Sequence, residues 1–185
     1  LCQGPFAAGR PAPINGLIWM GDPEGMVDQA AALLERGFDT LKLKVGALDF
    51  EQELECLQAI RSIAPAEKVT LRLDANGGLD DGDVAVTLRK LERLAAFDIH
   101  SMEQPVKPGQ WKKMQSICAD SAIPIALDEE LIGVHDTTLR RNMLHVIQPA
   151  FVILKPSLIG GFVEANHWID LAAEVGGKWW ATSAL

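Results

Sequence analysis

Residues 40–45 read TLKLKV and residues 69–76 read VTLRLDAN. In each, strict alternation gathers aliphatic side chains on one face: Leu41, Leu43 and Val45 in the first, Val69, Leu71 and Leu73 in the second. The opposite face carries Lys42 and Lys44, then Thr70, Arg72 and Asp74. Taken alone, each pattern describes a half-exposed strand with its charges in water. The sequence between them argues otherwise. Residues 50–64 place Leu54, Leu57, Ile60 and Ile63 on one side ahead of Pro65, which is the pattern of a helix followed by a stop. Strand, helix and strand in succession call for a right-handed crossover and parallel pairing, and parallel sheets are covered on both faces. The charged face of these strands is therefore expected inside the molecule.

Working outward, the same unit recurs. Strands are expected at 14–20, 40–45, 69–75, 99–104, 123–129, 151–155 and 178–184, with helices at 22–37, 50–64, 81–96, 108–119, 137–146 and 161–175. A doubly wound dinucleotide sheet would carry G-x-G-x-x-G after its first strand, but the chain reads GDPEGM after Met20. The charges favour a barrel. SMEQP (101–105), IALDEE (125–130) and VILKPS (152–157) put Glu103, Asp128 and Lys155 at the C-terminal ends of successive strands, as LDAN (73–76) does for Asp74. In a (β/α) TIM-type barrel such ends converge on one mouth. The expectation is an α/β fold of this type, incomplete, with about seven strands and six helices against the eight of each in a closed barrel.

Composition narrows the function. The 185 residues hold 17 Lys and Arg against 25 Asp and Glu, a net charge of -8, which excludes a broad basic face for nucleic acid. A hydrophobic content of 48% excludes disorder. No apolar run approaches the length of a membrane span, and LCQGPFAAGRPAPI lacks the pattern of an export signal. Cys2, Cys56 and Cys118 are too few and too scattered for a disulfide framework or a zinc knuckle, so reduced thiols and a cytoplasmic location are expected. Oligomeric state is left open by the sequence.

An isolated buried charge costs several kcal/mol, so charges at the mouth must be paired or bound to metal. Asp74, Glu103 and Asp128, with no histidine or cysteine among them, form an all-oxygen set suited to Mg²⁺ before Ca²⁺ or Zn²⁺. Glu129 and Glu130 adjoin Asp128; alternation with Ala126 selects Asp128. The alternative is that the three acids only pair with Arg72 and the lysines. Burying three like charges together favours the metal. Arg72 and Asn76 share the inward side with Asp74 and are candidate substrate contacts, with core pairing as the alternative for Arg72. Ser157, Gly160 and Gly161 lie where backbone N–H groups at a helix start can receive an anion, the alternative being a plain turn. Ser183 is a candidate for the pocket lining. Trp19, Trp179 and Trp180 are read as barrel packing, and the four histidines, without ligand spacing, are given no role.

KLK (42–44), LDAN (73–76), EQP (103–105), LDE (127–129) and LKP (154–156) occur in the order of the barrel motifs of the enolase superfamily, and the sequence resembles its muconate-lactonizing subgroup. LKPSLIGG (154–161) and WWATSAL (179–185) look like the o-succinylbenzoate synthase branch. This resemblance implies that Asp74, Glu103 and Asp128 hold Mg²⁺, with Mn²⁺ as a substitute. It makes Lys44 the base that removes the proton alpha to a carboxylate, with Lys42 helping to stabilise the resulting anion. Lys155 stands opposite, stabilising that anion by its charge and serving as acid or base in racemising relatives. The implied partner is a small-molecule carboxylate. The implied lyase reaction is syn loss of water from 2-succinyl-6-hydroxy-2,4-cyclohexadiene-1-carboxylate, giving 2-succinylbenzoate for menaquinone biosynthesis. A dipeptide epimerase or N-acylamino acid racemase would use the same residues. A non-enzymatic scaffold or inactive barrel fragment has no need of five charged motifs. The resemblance also implies that residues 1–13 are the end of a linker from an N-terminal capping domain and that 14–185 are a partial barrel lacking both that cap and its eighth unit.

Overall fold

The computed structural model describes residues 9–184, so most of the expected linker, and Cys2 with it, lies outside the described residues. Among the described residues, seven strands form one sheet: β1 (Gly16–Ile18), β2 (Thr40–Lys44), β3 (Thr70–Asp74), β4 (Ile99–Glu103), β5 (Ile125–Leu127), β6 (Phe151–Leu154) and β7 (Lys178–Ala181). All neighbours are parallel, and their order in the sheet is their order in the chain. The connecting helices are α1 (Pro23–Glu35), α2 (Phe50–Ile63), α3 (Val84–Ala95), α4 (Trp111–Asp120), α5 (Thr137–Ile147), the single turn α6 (Pro156–Ile159) and α7 (Phe162–Glu174). Among the described residues, no helix is long and apolar enough to cross a membrane.

The sheet curls. Neighbouring strands lie about 4.8 Å apart, so β3 and β7 would be separated by about 19 Å if it were flat. Instead the Arg72 guanidinium of β3 stacks 4.2 Å from the ring centre of Trp180 on β7, and His100 of β4 meets Phe151 of β6 at 5.1 Å. The charged face is the inside of the curve. Leu41, Leu43, Leu71 and Leu73 point outward and are buried with Leu57, Ile60, Leu91 and Leu94 of the helices. The alternation therefore means what the flanking helices implied: aliphatic side chains outward under helices, charges inward.

Local chemistry sets the boundaries. Asp22, Asp49, Asp83 and Asp136 each cap a helix by accepting a backbone N–H of its first turn, and Pro23 starts α1. The cap at Asp83 starts α3 at Val84, three residues later than its apolar period suggested. β1 and β5 are shorter than expected. After Leu127 the chain turns at Asp128 into a 3₁₀ turn (Glu129–Leu131), which ends β5 early. The additional turn α6 forms because the Lys155 carbonyl accepts from both Leu158 and Ile159.

Two loop glycines beside the mouth cross closely. A Cβ on Gly78 would stand 2.6 Å from the Gly46 carbonyl oxygen and 2.9 Å from that of Ala75, both of them main chain. Gly78→Ala is expected to cost about 1–3 kcal/mol as overpacking, read as a lower denaturant midpoint. Gly21→Ala, which meets nothing within 4 Å, is expected to leave that midpoint nearly unchanged.

Candidate active site

Pairing register assembles the site. Lys42 stands beside Arg72, Lys44 beside Asp74, and Asp74 beside Glu103. Asp128 and Lys155 follow directly after β5 and β6. The result is a row across the inside of the curve, with the Lys42–Lys44 pair at one end, three acids in the middle and Lys155 at the other. Asp74, Glu103 and Asp128 are all buried.

In the described structure the acids are held by the lysines. Asp74 Oδ2 accepts from Lys42 Nζ at 2.8 Å and from Lys44 Nζ at 2.6 Å. Lys42 Nζ also reaches Glu103 Oε2 at 2.7 Å, and Lys155 Nζ pairs with Asp128 Oδ2. These are the ion pairs of the metal-free alternative. Burial works against the Lys42 ammonium, but Glu103 and Asp74 outweigh it and hold Lys42 above its ordinary range. Burial likewise opposes ionisation of Asp74, and its two lysines overcome that, so its carboxyl lies below the usual range. Glu103 goes the other way. Burial, then the charge of Asp74, then a hydrogen-bond contact with Asp128 push it up to about 8, against the pull of Lys42.

Among the described residues, no three His, Cys, Asp or Glu side chains already converge as a cage for a metal ion. The donor set nevertheless fits a hard divalent cation. Glu103 Oε1 is buried and, among the described residues, has no hydrogen-bond partner, so it is an open carboxylate donor. All three donors are carboxylate oxygens.

The remaining candidates scatter. Asn76, with φ +43°, lies at the rim of the site; its Oδ1 accepts from Lys44 Nζ and its Nδ2 donates to Glu129 Oε1 at 2.7 Å. Arg72 lies two residues below Asp74 with its guanidinium on Trp180, so it sits in the barrel packing rather than at the rim. Its curled-sheet partner comes from the far end of the chain, beyond the reach of local alternation. The Gly160 and Gly161 N–H groups both donate to the Pro156 carbonyl, so they close a turn instead of presenting donors to an anion. Ser157 and Ser183 are exposed beyond the ends of β6 and β7. Trp180 packs inside as expected, whereas Trp19 and Trp179 are 56% and 47% exposed.

Sequence reasoning missed Gln104 and Glu130. Gln104, buried and with φ +39°, accepts from the Asp128 and Glu130 backbone N–H groups and donates to Glu130 Oε2 at 3.1 Å. It fixes the turn that carries Asp128. The EQP and DEE motifs hold both residues, but period-two alternation has no meaning past the end of β4, where Gln104 lies, or in the 3₁₀ turn that carries Glu130.

Comparison with known proteins bears on this arrangement. Residues 25–184 match the family model described as "Enolase C-terminal domain-like". The chain is 46% identical over 173 residues to o-succinylbenzoate synthase of Desulfotalea psychrophila, covering 94% of this chain and 46% of that protein. The crystal structure of MenC from the same organism superposes with a TM-score of 0.89 at 44% identity, covering 100% of this chain and 50% of that one. A dipeptide epimerase from Cytophaga hutchinsonii, solved with Mg and the dipeptide D-Ala-L-Val, superposes with a TM-score of 0.81 at 25% identity over 92% of this chain and 44% of that one. The chain spans about half the length of the curated relatives it matches. With its parallel strands, inward charges and these matches taken together, the chain belongs to the enolase C-terminal domain-like family of the enolase superfamily.

Proposed function

We propose that this chain carries the catalytic residues of a Mg²⁺-dependent o-succinylbenzoate synthase. The observation that carries the proposal is the row itself, with lysines at both ends of three buried acids. Dehydration is preferred to epimerisation because of the 46% identity to a synthase. Asp74, Glu103 and Asp128 would hold the ion, which supplies positive charge to the substrate carboxylate as its alpha carbon loses a proton. Lys44 Nζ takes that proton, and the ring C–O bond on the same face breaks with formation of the aromatic double bond. The departing hydroxide takes the proton back from Lys44 and leaves as water. Lys42 remains an ammonium between Asp74 and Glu103, and Lys155 lends its charge from the far end of the row. A lysine with an acid-rich site around it matches the proton-abstraction pattern of enolase-type enzymes.

The test is loss of the cyclohexadiene absorbance with Mg²⁺ present, measured on this chain and on one extended to the length of its relatives. Turnover that stops on chelation is the expected result. The similarity to a dipeptide epimerase favours a second reading, in which Lys44 and Lys155 exchange a proton on opposite faces. It predicts solvent deuterium at the alpha carbon of both epimers of a dipeptide and no turnover of the cyclohexadiene. A scaffold predicts neither activity, and no stabilisation by Mg²⁺.

A further inference from the structure

The geometry points to Glu53 as a positioning residue for Lys44, acting through the loop that joins β2 to α2. This rests on the reading of Lys44 as the base. Glu53 lies in the first turn of α2, only 4% exposed, and has no part in the row of charges. Its Oε1 accepts three consecutive backbone N–H groups, from Gly46 at 2.6 Å, Ala47 at 3.1 Å and Leu48 at 3.2 Å. The helix does not need it as a cap, because Asp49 already receives the Glu51 N–H. The carboxylate is therefore spent on the loop, near the positive end of the helix dipole, which favours its charge. Burial pushes Glu53 upward in pKa, a cost the three N–H groups offset only in part.

That loop begins where the base ends. Lys44 is the last residue of β2, Val45 N–H donates to the Asp74 carbonyl at 2.9 Å, and Gly46 turns away with φ +88°. On one side the loop is locked by Asp74, and on the other by Glu53; Lys44, Leu48 and Glu53 line the same small void. With one lock open, three peptide planes are free to rotate, and the Lys44 Cα–Cβ direction rotates with them. A displacement on the order of 1 Å at a reacting group costs about 100-fold in rate.

The experiment compares wild type with Glu53→Gln, which keeps one acceptor oxygen, and Glu53→Ala, each checked for fold by circular dichroism. The first readout is independent of turnover: acetylation of lysines by acetic anhydride in metal-free protein, followed by mass spectrometry. We expect labelling of Lys44 relative to Lys155 to rise several-fold in both variants, as Lys44 leaves Asp74 and Asn76. The second readout is a fall in kcat of about 10–100-fold with KM nearly unchanged. An unchanged labelling ratio in folded variants would overturn the proposal. A wild type extended to the length of its relatives that still shows no synthase turnover would instead overturn the functional reading, and the labelling ratio would still decide where Glu53 places Lys44.

Discussion

Lys44→Ala is expected to lower turnover of the cyclohexadiene carboxylate by about 1000-fold or more while leaving the protein folded. Proton transfer by a positioned side chain contributes about 100- to 10,000-fold, and here the same ammonium would also return the proton to the leaving group. The fold should tolerate the change. Lys44 is partly exposed at the end of its strand, and Asp74 keeps Lys42 at 2.8 Å when Lys44 is gone. KM is expected to change little, since the side chain acts on the moving proton rather than on the bound carboxylate. Steady-state kinetics and the thermal midpoint, measured together, check this. A variant with the stability of wild type and undiminished kcat would remove Lys44 from the role of base.

Glu103→Gln should have the largest effect on metal response and on pH dependence. In an unfolded chain the Glu103 carboxyl ionises near its ordinary 4.5, whereas in the folded metal-free protein it holds its proton up to about 8. Between those values the folded state binds more protons, so stability falls as pH rises through this window and levels off above it. Urea titrations in a chelator from pH 5 to 9 should show that slope for wild type and a flatter profile for Glu103→Gln. With Mg²⁺ at 100 times its dissociation constant, wild type should gain about 2.7 kcal/mol. The variant, which offers an amide in place of a carboxylate, should gain little. An equal Mg²⁺ response from both proteins would remove Glu103 from the ligand set.

Most of the fold and the row of charges could be read from TLKLKV and its neighbours, because period-two alternation and the helix between strands are local patterns. The positions of Asp74, Glu103, Asp128 and the three lysines are legible for the same reason: Lys42 lies within β2 and the others at or just past a strand end, where the inward direction follows from counting. What failed to show was whatever depends on curvature or on turns. Alternation leaves Arg72 between substrate contact and core pairing, because nothing near it in the chain announces Trp180. The Gly160–Gly161 pair reads equally as an anion receptor or a plain turn, and the Pro156 carbonyl that accepts from both makes it the turn. Gln104 and Glu130 belong to chain that has left the strand, where alternation no longer tells inside from outside.

The sheet keeps its strands in chain order, and this bears on how so many ions come to be enclosed safely. In such a sheet each unit lies against the one that precedes it in the chain. Lys42 and Lys44 arrive on the second strand, ahead of every acid in the row. Asp74 then docks against ammonium groups already present, Glu103 meets the one it shares with Asp74, and Asp128 waits a single unit for Lys155. Were units to dock in that sequence, no more than one acid of the row would lack its lysine at any stage.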